Sequence, residues 1–273
     1  MKFNVSEKEV KAFVKERFAK KYRTNIFNTL WTNYKNLNDF KINENIFEII
    51  PELNNLEHKE ELQFIIRTVA QFYATKMFQG MKVDLNDPNV AEDLETGNIG
   101  TPGRVSKMWC GAGIHDDREL MGGRFHEPVR LAKFPNNISD NEIVNPIVKE
   151  VDLMAVCSHH LAPFGTLVGP DAKVVISYIP DQYVLGISKL QRVVRYVAQR
   201  GWLQEDLTKA IYDEIVKIAE TDSVYIGLRN IEHTCEKYRG AMTQSQGFTT
   251  EYFGGKFKED SSIIENVRNH FSR

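Results

Sequence analysis

Two short segments constrain this chain more than any other feature: Cys157-Ser158-His159-His160 and, well downstream, His233-Thr234-Cys235. A Cys three residues before a His can place a thiolate and an imidazole on one metal ion, and a His-x-Cys pair on another strand or loop can close the set. Any fold that uses them together must bring the two segments into contact. A lone Cys-x-x-His pair is more often a buried thiol beside a histidine than a metal site. The second cluster shifts the balance, because of 3 Cys and 7 His in the whole chain, two Cys and three His fall in these segments. Mixed sulfur and nitrogen donors suit Zn²⁺, and three protein ligands leave a fourth position for water, the arrangement of a catalytic zinc. Cys157, His160, His233 and Cys235 thus have to be divided into three ligands and at least one spare histidine.

The composition sets the outer limits. A chain of 273 residues, 42% of them hydrophobic, can bury a full core and has room for one large domain or a domain with an appendage. Its formal net charge of -2 gives no electrostatic reason to expect nucleic acid as a partner. Three Cys are too few for a disulfide framework, which points to a reducing compartment and keeps the thiols available for metal. No apolar run approaches the ~20 residues that span a bilayer, and Met1-Lys2-Phe3-Asn4-Val5-Ser6 lacks the apolar core of a signal peptide. A soluble, cytoplasmic protein without a membrane partner is expected.

Along the chain, Ser6-Glu7-Lys8-Glu9 reads as a capping box before Val10, Phe13, Val14 and Phe18 at helical spacing. A second helix carries Ile26, Phe27, Leu30, Trp31, Tyr34 and Leu37 on one face. A third, after Pro51, carries Leu62, Ile65, Ile66, Val69, Phe72 and Tyr73 and stops at Gly80. Residues 81–100 are polar and suit a connection. Thr101-Pro102 then predicts a helix with Thr as its cap, placing Arg104 and Lys107 on one face beside the positive end. These two are either a solvated basic face or an anion site. Residues 116–141, with Gly122-Gly123, Pro128 and Pro135, read as a long loop or flap.

Beyond that loop the period changes. Ile147, Val151, Leu153 and Ala155 predict one strand leading into Cys157, and Val174, Val175, Ile176 and Tyr178 a second, ended by Pro180. Ser188 is expected to cap a helix with Leu190, Val193, Val194 and Val197 inside. Leu207, Ala210, Ile211, Ile215 and Ile218 form the inner face of the next. Val224, Ile226 and Leu228 alternate into His233, Gln244, Gln246, Phe248, Thr250 and Tyr252 predict a last strand, and Ile263, Ile264, Val267 and Phe271 a closing helix. Strand, strand, helix, helix, strand, strand implies an α+β fold: a largely antiparallel sheet with a helical pair on one face.

Ser188-Lys189 at a helix start, with Arg192 on nearly the same face, and Arg239 four residues past Cys235 suggest cations gathered for a polyanion such as phosphate. The plainer alternative is the wet face of an amphipathic helix. Gln204-Glu205 opens a helix, where Glu ordinarily serves the helix dipole. It could instead accept two parallel N–H bonds from a guanine edge.

The motifs as a set resemble the GTP cyclohydrolase I family. They are Cys157-Ser158-His159-His160-Leu161-Ala162-Pro163-Phe164, Tyr178-Ile179-Pro180, Leu185-Gly186-Ile187-Ser188-Lys189-Leu190, Gln204-Glu205-Asp206-Leu207-Thr208 and His233-Thr234-Cys235-Glu236-Lys237-Tyr238-Arg239-Gly240, in the family's order. Thr101-Pro102-Gly103-Arg104-Val105-Ser106-Lys107-Met108 is similar to the family's upstream helix. The resemblance implies a tunnelling fold over residues 58–273, with 1–57 as a helical N-terminal extension, and a homodecamer of two pentameric rings with active sites between subunits. It implies conversion of GTP and water into formate and 7,8-dihydroneopterin triphosphate. On this resemblance Cys157, His160 and Cys235 hold Zn²⁺, while His159 and His233 shuttle protons. Glu205, helped by Gln204, holds guanine, and Ser188, Lys189, Arg192, Arg239, Arg104 and Lys107 bind the triphosphate. Ser158 stands where the family usually has Glu, and the segment between Phe164 and Tyr178 is longer than usual. The rivals are another tunnelling-fold enzyme acting on a pterin or deazapurine, and a non-catalytic protein with a structural zinc.

Overall fold

The computed structural model describes residues 5–113, 120–128, 132–137, 146–169, 171–238 and 247–270. It divides into two compact units, Met1–Glu127 and Pro128–Arg273.

The first unit is helical: α1 (Glu7–Lys21), α2 (Phe27–Asn36), α3 (Ile46–Ile49), α4 (Lys59–Gly80) and α5 (Gly100–Cys110). The capping box forms: Ser6 Oγ accepts from the Glu9 amide while the Glu9 carboxylate accepts from the Ser6 amide. Such a cap stabilises a helix start by about 1 kcal/mol. Val10, Val14 and Phe18 then fall on one stripe and pack with Phe27, Leu30 and Trp31 of α2 and Leu62, Ile65, Val69 and Phe72 of α4. Tyr73, assigned to the same stripe, is 52% exposed, one residue beyond the buried face.

The start of α5 differs from the expectation. Ile99 holds the cap position without a side-chain bond, and Thr101 lies inside the first turn with its amide donating to the Val90 carbonyl. A loop carbonyl thus does what the Thr101 hydroxyl was expected to do. Gly100 makes that approach possible, since its φ is +63° and a Cβ there would stand 2.7 Å from the same Val90 oxygen. Lys107 therefore belongs to the last turn of α5, away from the positive end of the helix.

The second unit contains β1 (Lys133–Pro135), β2 (Ile147–Val151), β3 (Met154–Cys157), β4 (Pro163–Gly165), β5 (Lys173–Tyr178), β6 (Tyr183–Leu185), α6 (Ile187–Ala198), β7 (Gly201–Trp202), α7 (Gln204–Ala219), β8 (Val224–Ile231), α8 (Thr234–Tyr238), β9 (Phe248–Phe253), α9 (Lys256–Glu259) and α10 (Ser261–His270). Its main sheet is antiparallel in the order β2-β5-β8-β9, and β4-β3-β7 and β1-β6 form smaller sheets. The mixed helix and sheet composition is that of an α+β protein. Leu190, Val193 and Val197 of α6 and Leu207, Ile211 and Ile215 of α7 pack on Val174, Ile176, Val224, Ile226 and Leu228.

Several local expectations need correction. The opposite face of the sheet is not bare, because Val175 and Tyr225 pack with Phe257, Ile264 and Val267 of α9 and α10. Accordingly β8 is buried at each of its first five positions instead of alternating. The single strand expected before Cys157 is two strands in different sheets. The break is at Asp152, whose amide donates to Gln191 Oε1 and whose carbonyl accepts from Gln191 Nε2, both at 2.8 Å. Part of the expected flap is strand β1, exposed at all three residues and paired to β6 through its backbone, so no hydrophobic pattern marks it. Gly186, not Ser188, occupies the cap position of α6, again without a side-chain bond. Gln244, Gln246 and Phe271 lie outside the described residues. Among those described, no helix is long and apolar enough to cross a membrane.

Candidate active site

Two tight devices bring the distant Cys and His segments together. After β3 the chain reverses: the Leu161 amide donates to the Cys157 carbonyl and the Cys157 amide to the Ala162 carbonyl, both at 2.8 Å, with Leu161 at φ +51°. Strand β4 then holds the second segment, since Phe164 forms a bridge with His233 and Thr234 Oγ1 donates to the Pro163 carbonyl at 2.7 Å. Cys235 enters the first turn of α8 beside Cys157. One ligand atom each from Cys157, His160 and Cys235 lies within 4.8 Å of the others.

The donor set fits a metal on chemical grounds. Cys157 is buried, Cys235 half-buried and His160 exposed, so the group opens to one side. Burial and then the neighbouring Cys157 sulfur push the Cys235 thiol above its ordinary value. Two adjacent thiols resist joint ionisation unless a cation lies between them, and Zn²⁺ would supply that charge through bonds of about 2.0–2.3 Å.

His233 is fixed on three sides. Its ring stacks on Phe164 with centroids 4.3 Å apart and planes 8° from parallel, and meets the edge of Phe248 at 6.1 Å. Its Nε2 is 2.9 Å from Gln204 Oε1. Gln204 is buried, and its Nε2 donates to the Phe248 carbonyl and to Thr250 Oγ1. The Phe248 carbonyl can only accept, which fixes the amide orientation and leaves Gln204 Oε1 to accept from His233. Neutral His233 therefore carries its proton on Nε2 and its lone pair on Nδ1. Burial lowers the His233 pKa, with the charge of Glu205 pulling in the opposite direction.

His159, Glu205, His233 and the three candidate ligands all line one cavity of about 560 Å³, walled on its apolar side by Leu203 and Phe248. The remaining predicted residues are placed elsewhere. Ser188 and Arg192 are exposed and Lys189 half-buried on the first turns of α6, and none of the three is among the described residues that line this cavity. Arg104 and Lys107 are on α5 of the helical unit, where Arg104 donates to the Asn89 carbonyl and to Asn98 Oδ1. Arg239 lies outside the described residues.

A family model described as GTP cyclohydrolase I matches residues 89–272. The chain belongs to the GTP cyclohydrolase I family. Proteins named GTP cyclohydrolase 1 from Salmonella gallinarum and Yersinia enterocolitica are each 30% identical to it, over 74% and 79% of this chain and 78% and 86% of their own lengths. One from an Enterobacter species is 28% identical over 82% of this chain and 86% of its own.

Against this GTP cyclohydrolase I background, two residues to which the motifs assign no role shape the site. Phe164 supplies the ring on which His233 rests, and Phe248 closes the cavity wall while its carbonyl orients Gln204. The one signal that could point to either is an apolar residue directly after Pro163 in the first motif. Ser158 is half-buried and donates its backbone amide to the Trp202 carbonyl at 3.0 Å, tying β3 to β7.

Proposed function

We propose that this chain converts GTP and water into formate and 7,8-dihydroneopterin triphosphate, using Zn²⁺ held by Cys157, His160 and Cys235. The observation that carries the proposal is that these three ligand atoms gather within 4.8 Å in the cavity that Glu205, His159 and His233 also line. When bound there, zinc would supply Lewis-acid activation of a water molecule for attack on purine C8. Glu205, exposed at the mouth of α7, is free in geometry to accept two N–H bonds from the guanine edge. His233 presents Nδ1 for proton transfer while Gln204 holds Nε2, and the exposed His159 exchanges protons with solvent during ring opening and closure. Ser188, Lys189, Arg192, Arg239, Arg104 and Lys107 would take the triphosphate.

The edges of the main sheet support an assembled form in the same reading. In the main sheet β2 and β9 have one neighbour each among the described residues, and on β9 Phe248 is 52% and Tyr252 39% exposed. Such edges suit sheets that continue from subunit to subunit, as in a tunnelling fold closed into a homodecamer of two pentamers. In this reading residues 58–273 form the family-like domain, 1–57 an extension, and the enzyme works in the cytoplasm. Metal-replete protein incubated with GTP should release formate and, after oxidation, a fluorescent pterin. Absence of both across varied metal and salt would overturn the proposal.

A further inference from the structure

Most side chains lining the candidate active-site cavity are polar or ionisable, yet its wall includes a ring to which the proposed reaction gives no part. Among the described lining residues only Leu203 and Phe248 carry pure hydrocarbon side chains. Phe248 is 52% exposed, although it shares a hollow of about 560 Å³ with Glu205, His233 and the candidate metal ligands.

Strand register aims this ring at the start of α7. Side chains alternate along β9, so Phe248, Thr250 and Tyr252 share one face. Thr250 Oγ1 is 2.7 Å from Thr208 Oγ1 and accepts from Gln204 Nε2 at 3.1 Å, while the Tyr252 and Tyr212 ring centroids are 4.8 Å apart. All three partners belong to α7, and Phe248 continues the row toward the first turn, where Glu205 lies. Among the described residues the ring's one aromatic contact is to His233, with the planes at 88°. No aromatic ring among those residues is therefore stacked flat on Phe248.

An apolar ring held in a polar cavity favours a ligand that can cover it without losing hydrogen bonds. A phosphate or a ribose hydroxyl is poorly suited, because covering the ring would take its oxygens away from polar partners. A purine is well suited: its flat face stacks on an aromatic ring while its edge stays available for hydrogen bonds, and Glu205 in the same cavity is the acceptor proposed for that edge. Glu205 would fix the base within its plane, and Phe248 would fix the plane itself.

We infer that Phe248 is a base-binding residue, its ring forming the platform on which the guanine of the nucleotide lies while Glu205 holds the guanine edge. The inference rests on, and deepens, the reading of this cavity as a GTP site. Phe248 stands outside the motifs that carry the chemistry, so the platform is a feature of this chain's own β9.

The test compares wild type with Phe248→Ala and Phe248→Tyr, each as full-length, zinc-loaded protein. The side chain is exposed, so the fold should survive, and circular dichroism, gel filtration and zinc content check it. Guanosine and inorganic triphosphate are titrated separately by calorimetry. Phe248→Ala should weaken guanosine binding about 5- to 100-fold and leave triphosphate binding unchanged, while Phe248→Tyr, which keeps the ring, should bind guanosine as the wild type does. In turnover, Phe248→Ala should raise KM for GTP by a similar factor with little change in kcat. Four results would each overturn the inference: no guanosine binding by the wild type, guanosine affinity indifferent to the ring, a loss that Tyr does not restore, or a fall in kcat at constant KM, which would make Phe248 a support for His233. A changed oligomer would overturn it as well, by assigning the ring to a contact between copies. Formate release by the wild type separates this inference from the reaction it rests on. Ring-dependent guanosine binding without formate sinks the proposed reaction and keeps the platform, whereas formate release with ring-independent binding sinks the platform alone.

Discussion

Gln204 is buried beside a catalytic candidate and has both polar atoms of its amide engaged, so in the proposed reaction its part would be to position His233. Replacing it with Met keeps the volume and removes the acceptor. Gln204→Met should lower kcat about 10- to 100-fold, the scale of losing a positioning contact, with little change in KM for GTP. The opposite pattern, raised KM at constant kcat, would return Gln204 to the guanine contact that its place beside Glu205 suggests. At the proposed metal site, Cys235→Ser should lose zinc and more than ~100-fold of formate release, since a ligand matters more than its supporting shell. Circular dichroism and gel filtration should show the fold and oligomer unchanged, and unfolding would instead mark the zinc as structural. Glu205→Ala should abolish GTP turnover while zinc content, measured by atomic absorption, stays at the wild-type level.

Spacing makes the ligand candidates legible in the sequence, because Cys-x-x-His and His-x-Cys are local patterns. What holds them is not legible there. The bridge from Phe164 to His233 and the Thr234 hydroxyl on Pro163 are contacts between remote residues that leave no period in the sequence. Helix stripes can be read where one face is buried, as with Val10, Val14 and Phe18. Caps mislead at Thr101 and Ser188, because suitable residue types stand one or two positions inside the actual start. The break between β2 and β3 depends on the side chain of Gln191, far along the chain, and has no trace in the local pattern. One element contact is open to direct test. Glu251 on β9 accepts from Tyr225 Oη on β8 at 2.6 Å and pairs with Arg268, fastening α10 to the sheet. Burial raises the carboxyl's pKa, but the bonds from Arg268 and Tyr225 outweigh it and hold the group below its ordinary range. The stabilisation is therefore complete above the unfolded value near 4.5 and is lost as pH falls through the lower folded value. Glu251→Gln should cost on the order of 1–2 kcal/mol at neutral pH, reduced by the partial exposure of Arg268, and the gap from wild type should close in acid. Denaturant melts at a series of pH values measure it.

The two units have separate hydrophobic clusters, one built around Phe18, Phe27 and Ile65, the other around Ile176, Leu207 and Ile226. Truncating the first should therefore be felt locally. Phe27→Ala removes a fully buried ring and should cost about 3–5 kcal/mol. Amide exchange should accelerate in α1, α2 and α4 while β8 keeps its protection, and equal loss in both units would show a single cooperative core. The outer strands of the main sheet have a consequence for handling the protein. Among the described residues the outer edges of β2 and β9 have no partner strand, and in the proposed ring another copy supplies one. Mass action then governs catalysis: rate per chain should decline on dilution, recover on concentration, and lag behind mixing by the time the rings take to form.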